Sequence, residues 1–282
     1  MDAVALALLA AAFYGALTVA LRPALARGTS AELGALLTVI PAFAVALVAA
    51  VLRSDWDVGG VWAFALAGIL GPGLSQTLFT LGVRDAGPAR SSVVIGTAPL
   101  FSVAIALLLL DEPVAAGVLA GGTLIVGGGV LLVGERSRPQ HVKRIGLIYA
   151  LAATVIFAAR DNLVRWLSVD TDVSPELAAA VTLGSGTLVI AIWVAVARRP
   201  FSFAPLRYFA PAGILFGLSY ICLFEAYYRG RVSVVSPLVA TESLWGVGFS
   251  AIFLRRIEVI GARLVVGAVL IVIGGGLIGI FR

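Results

Sequence analysis

Ten long apolar stretches, separated by short groups of glycine, proline or charged residues, occupy nearly the whole chain. They run approximately over 3–21, 33–52, 61–83, 88–110, 114–134, 145–167, 176–197, 207–228, 231–254 and 258–281. A bilayer core about 30 Å thick takes about 20 apolar residues as a helix, whereas a membrane strand takes about 10. The stretches have the helical length. The pattern therefore predicts an all-α polytopic membrane protein with ten transmembrane helices and almost nothing left over for a soluble domain. The stretches form two groups of five around a short basic hinge, Gly134 to Arg144. Because five is odd, a second copy of the unit must enter the membrane upside down. Residues 1–134 and 145–282 are thus expected to be two inverted five-helix repeats, an arrangement in which one half rocks against the other around a site near the midplane.

The repeat is clearest late in each half. Gly87-Pro88-Ala89-Arg90-Ser91-Ser92-Val93-Val94-Ile95 lies over Gly230-Arg231-Val232-Ser233-Val234-Val235-Ser236-Pro237-Leu238 at an offset of 143 residues. Leu110-Asp111-Glu112-Pro113 is answered by Leu254-Arg255-Arg256-Ile257, Gly117 by Gly261, and Gly127-Gly128-Gly129 by Gly274-Gly275-Gly276. Phe13 in the first span is set opposite Phe157 in the sixth. These residues resemble the EamA family of the drug/metabolite transporter superfamily: small residues opening spans four and nine, an acidic Leu-Asp-Glu-Pro turn after span four, and a glycine-rich fifth helix. The chain departs from that pattern after span nine, where Arg255 and Arg256 replace an acidic residue and Glu258 follows late. The resemblance implies a ten-helix secondary transporter of small metabolites, often an exporter, with a cavity built mainly by helices 1, 3, 4, 6, 8 and 9.

Composition fits this class, since 282 residues that are 61% hydrophobic and 12% charged cannot cover a soluble globule. The net charge of +5 does not point to nucleic acid, because the arginines are dispersed over separate loops. Fourteen of the twenty cations sit in odd-numbered loops, among them Arg22, Arg84, Arg90, Lys143 and Arg144. The positive-inside rule then puts both termini outside, in a plasma (inner) membrane. Met1 and Asp2 lead straight into the first full-length span, so no cleaved signal peptide is expected. The single cysteine, Cys222, precludes an intramolecular disulfide, and it cannot form a zinc site with the single histidine, His141. There is no serine elbow and no phosphate-cradling loop before the only lysine, Lys143, so no enzyme activity, metal or cofactor is expected.

Ionisable groups inside spans are costly, about 2.5–3.5 kcal/mol at a helix centre, and commonly face a cavity or a partner. Four stand out: Arg160 and Asp161 in span six, Glu225 in span eight and Glu242 in span nine. At 1.5 Å per residue they lie about 10, 10, 5 and 16 Å from the even-loop face, a ladder reaching the midplane. Asp161 and Arg165 have the spacing of a helical ion pair, and Arg160 has Glu225 or Glu242 as alternative partners. Glu242 is the candidate for binding substrate or a proton. Pro237 interrupts span nine five residues before it, and Pro99 with Gly96 interrupts span four, marking two broken helices in corresponding positions as a gate. At the offset of 143, Glu242 falls on Pro99. Tyr14, Gln76, Tyr220 and Trp245 lie at depths suited to complete the cavity, or else they pack or anchor at the interface. Glycine spacings at Gly117/Gly121, Gly213/Gly217 and Gly275/Gly279 read as close helix contacts, with a homodimer through helices five and ten as the alternative.

The expected function is alternating-access transport of a small polar metabolite, an amino acid or related compound, as an exporter coupled to protons through Glu242. A lipophilic-cation or drug exporter would use the same carboxylates without Arg160. A lipid-linked sugar flippase would want basic groups for phosphate, and a scaffold would leave the buried charges merely paired.

Overall fold

The computed structural model describes residues 2–110, 116–133, 143–169, 171–198, 200–230, 232–257 and 260–281, and all regular structure among them is helical. Several expectations lie outside the described residues: the hinge from Gly134 to Val142 with His141, the turn Asp111 to Pro113, and Arg231, Glu258 and Arg282. The helices are α1 (Ala3–Leu25), α2 (Ala31–Arg53), α3 (Val61–Gly68), a kink (Ile69–Leu74), α4 (Ser75–Ala86), α5 (Pro88–Ile95), α6 (Ala98–Leu110), α7 (Ala116–Val133), α8 (Arg144–Leu167), α9 (Pro175–Val196), α10 (Leu206–Arg229), α11 (Val232–Val239), α12 (Glu242–Phe253) and α13 (Ala262–Phe281).

Local sequence sets many of these ends. The Asp2 carboxylate accepts from the Ala5 N–H at 2.8 Å and the Ser30 hydroxyl from the Leu33 N–H at 3.3 Å, so both α1 and α2 start on side-chain caps. Pro88 and Pro175 stand in the first turns of α5 and α9, where a missing N–H costs nothing. Gly87, at φ 88°, makes the sharp corner between α4 and α5. Among the described residues, six continuous helical stretches are long and apolar enough to cross a bilayer: Ala3–Leu25, Ala31–Arg53, Val61–Ala86, Arg144–Leu167, Pro175–Val196 and Leu206–Arg229. The expected spans four and nine are each divided in two, as α5/α6 and α11/α12. Large apolar side chains such as Leu52, Trp166, Val196 and Ile280 are about three-quarters exposed on the outside, a surface suited to lipid rather than water. The protein is an integral membrane protein.

Helices far apart in sequence pack together. α1 runs antiparallel to α10, and α4 antiparallel to α8. α7 lies against α13 with no room for side chains at the crossing: a Cβ on Gly121 would stand 2.5 Å from the Gly274 carbonyl oxygen, and one on Gly274 the same distance from that of Gly121. Gly213 and Gly217 press likewise on α2, at Pro41 and Val45. These glycines are therefore occupied inside the chain.

Candidate functional site

The two divided helices lie side by side and antiparallel, α5 against α12 and α11 against α6. Their breaks fall at Gly96-Thr97 and Ala240-Thr241. This differs from the sequence expectation in register. The prolines flank the breaks instead of forming them: Pro99 is the second residue of α6, and Pro237 sits within α11. Both pack on Gly275 of α13, whose Cβ position is 3.5 Å from Pro99 Cγ and 3.7 Å from Pro237 Cα. The breaks are 144 residues apart, so Glu242 falls opposite Ala98 and not Pro99.

A third interruption was not anticipated. Gly71-Pro72-Gly73 kinks the chain between α3 and α4, and Gly71 adopts extended dihedrals (φ −141°, ψ 113°). Its carbonyl accepts a hydrogen bond from the Tyr220 hydroxyl at 3.1 Å. A Cβ there would crowd Ser75 Oγ at 3.1 Å and stand in ordinary contact with the Arg160 stem at 3.4 Å and with Phe157 at 3.5 Å. The break also starts α4 at Ser75, which brings Gln76 to the inside.

Between these interruptions lies a cavity of about 40 Å³, room for a few water molecules. α1 gives Tyr14 and Leu17, α4 Gln76 and Phe79, α8 Phe157, Arg160 and Asp161, and α10 Phe216 and Leu223. The ends of the divided helices supply Ile95, Ala98, Ser236, Val239, Ala240 and Glu242. Offset by 143, Tyr14 answers Phe157, Leu17 answers Arg160 and Thr18 answers Asp161. The repeats thus furnish equivalent wall positions, with the charges on the second repeat alone. Phe13, set opposite Phe157 above, gives way to Tyr14.

The charges are unevenly balanced. Arg160 Nε stands 2.9 Å from Asp161 Oδ1, and the guanidinium carbon lies 4.8 Å over the Tyr220 ring and 5.5 Å from the Phe157 ring. Arg160 is thereby held by a carboxylate and two π faces. The expected Asp161–Arg165 pair does not form: Arg165 Nη1 donates to the Tyr227 carbonyl at 2.6 Å. Glu242, the first residue of α12, is 4% exposed and has no ion-pair or hydrogen-bond partner among the described residues. A helix N-terminus favours a carboxylate there, but no cation neutralises it. The Tyr14 hydroxyl, both polar atoms of the Gln76 amide and Arg160 Nη1 are also buried without hydrogen-bond partners. Buried polar groups left open in this way usually meet water or a ligand.

Three expected site residues lie elsewhere or play another part. Glu225 faces away from the cavity, bonded to Arg229 Nε at 2.7 Å near the end of α10 and adjacent to Glu176, which pairs with Arg53 at 3.5 Å. Trp245 is 41% exposed on the outer side of α12, where it meets Phe249. Tyr220 sits behind Arg160 as a support and does not line the opening. Phe79, Phe157 and Phe216, which complete the walls, were not among the expected site residues.

A search of curated proteins finds no match. A solved structure described as "Crystal structure of protein" superposes with a TM-score of 0.69 over 98% of this chain and 95% of its own, at 20% identity, a likeness of fold. The EamA-like transporter family matches residues 1–134 and again 144–280. The chain belongs to the EamA-like transporter family, within the drug/metabolite transporter superfamily.

Proposed function

We propose that the protein is a secondary transporter that moves a small amine-bearing polar metabolite, such as an amino acid or related compound, by alternating access. It crosses the plasma membrane ten times as two inverted five-helix repeats, with both termini outside, and exports its substrate in exchange for protons. The observation that carries this reading is Glu242: a buried carboxylate without a cationic partner, at a helix break, in a cavity walled by aromatic rings. Such a group takes up either a proton or the ammonium group of a ligand, and an exchanger needs one group that holds these alternately. Tyr14, Gln76 and the open Nη1 of Arg160 supply further hydrogen bonds for a second polar group on the ligand.

A second reading, export of lipophilic cations, is favoured by one feature. Arg160 already has Asp161 as its partner, so an attacking ligand carboxylate must compete with it. Thermal stabilisation of the purified protein by a panel of amino acids, simple amines and quaternary ammonium compounds separates the two. Stabilisation by amino acids that is lost in both Glu242→Gln and Arg160→Gln supports the first reading; stabilisation by cations alone, indifferent to Arg160→Gln, supports the second.

A further inference from the structure

The cavity lies in a cleft between two antiparallel helix pairs, α1 with α10 on one side and α4 with α8 on the other. Contact runs along the helices within each pair, whereas α1 meets α4, and α8 meets α10, only sparsely. Arg160 reaches the Tyr220 ring across the cleft at the cavity, and at each end of the cleft a further arginine crosses it. Where α1 and α4 end, Arg22 Nη1 donates to the Arg84 carbonyl at 2.5 Å and reaches the Val83 carbonyl at 3.4 Å. At the opposite end of the bundle, where α8 and α10 end, Arg165 Nη1 donates to the Tyr227 carbonyl at 2.6 Å. Arg22 and Arg165 are 143 residues apart, as are Arg84 and Tyr227, and as are Gly87 and Gly230, which close the two receiving helices. One contact has thus been made twice, once by each repeat, at opposite ends.

The chemistry suits a reversible closure. The last carbonyls of a helix have no partner within it and carry the negative end of its dipole, so a guanidinium bonds them well. Water at the membrane face can take over both halves of the bond when it breaks. Other polar ties at the first end join α4 to α8 and so act within one pair: the Lys143 N–H donates to the Asp85 carbonyl at 2.7 Å, beside the Arg84–Asp85 ion pair at 2.8 Å.

We propose that Arg22 and Arg165 are the paired gate latches of the carrier, each holding one end of the cleft shut and each released when the cavity opens to that side. The inference rests on the alternating-access reading above and adds which residues hold the two gates. Both latches are formed in this structure, with the cavity between them. Two closures of the same chemistry hold both ends with comparable strength, so a ligand or proton in the cavity needs only a modest difference in affinity to select which opens.

The test uses the full chain in lipid nanodiscs with Cys222→Ala, so that introduced cysteines alone take spin labels. Ala26→Cys with Arg144→Cys spans the cleft at the first end, and Val4→Cys with Val169→Cys spans it at the second; all four positions are exposed. Pulsed electron spin resonance should show Arg22→Gln lengthening the first distance by about 5 Å, one helical turn, with the second unchanged. Arg165→Gln should do the reverse, and Arg22→Lys and Arg165→Lys should restore the short distances. Distances that stay put in folded variants, or that move together at both ends, overturn the assignment. Should wild type hold one distance at each end at every pH tried while each variant still opens its own end, the latches stand and alternating access falls.

Discussion

Gly96 and Ser243 meet where the two divided helices cross, and a Cβ on Gly96 would stand 2.8 Å from that of Ser243. The two breaks that frame the cavity are therefore in direct contact, and movement of one is felt by the other. Gly96→Val should lower stability by about 1–3 kcal/mol through overpacking and slow transport. Gly248→Ala, on the same helix as Ser243 but with open space at its Cβ position, should change stability by less than about 0.5 kcal/mol. Unfolding in mild detergent reads both; equal losses would mean that the crossing is not tightly packed.

The Arg160–Asp161 pair is buried, and removing one partner strands a charge. Asp161→Leu should cost about 3–5 kcal/mol, whereas the double change Arg160→Met with Asp161→Leu should regain much of that loss. A double change that costs the sum of the two single ones would show that the two residues are not coupled.

Tyr14 and Trp245 were equally attractive in the sequence, and the structure separates them. The Tyr14 hydroxyl faces the cavity without a partner, whereas the Trp245 ring is turned outward. Tyr14→Phe should weaken substrate binding by about tenfold, the worth of one hydrogen bond. Trp245→Ala, which keeps the Cβ that packs on Gly15, should leave affinity unchanged. Titration by isothermal calorimetry or by ligand-induced stabilisation decides between them.

The α7–α13 contact gives a third contrast. Gly121→Val and Gly274→Val each place side-chain atoms against a facing carbonyl and should destabilise the protein, whereas Gly127→Ala, with open space at its Cβ position, should not. None of the three should alter the oligomeric state seen by light scattering, because the Gly121 and Gly274 contacts lie inside one chain. A change in oligomeric state for Gly121→Val or Gly274→Val would revive the homodimer through these helices.

Much of this was legible from hydrophobic length and spacing. The helical class, the repeat and the burial of the polar groups of Glu242, Arg160, Asp161, Tyr14 and Gln76 all follow from where polar residues interrupt apolar runs. Depth along a helix can be counted, but rotation about its axis cannot be fixed without knowing the neighbours. Leu223 lines the cavity and Glu225, two residues later and about 200° further round, does not. The pairing of Asp161 with its neighbour, not with Arg165, depends on the Tyr227 carbonyl, which α10 brings from 62 residues away. Gly71-Pro72-Gly73 was a readable break signal, but no matching proline in the second repeat drew attention to it. The Arg22–Arg165 equivalence was present in the offset of 143 and invisible until their acceptors were located.

The most direct test of the account is uptake by proteoliposomes, with and without an imposed pH gradient, of labelled amino acids, amines and lipophilic cations, for wild type and Glu242→Gln. The account predicts saturable, gradient-driven uptake of an amine-bearing solute by wild type and its loss in a variant that remains folded. Unchanged uptake by Glu242→Gln, with the same dependence on the gradient, would contradict it.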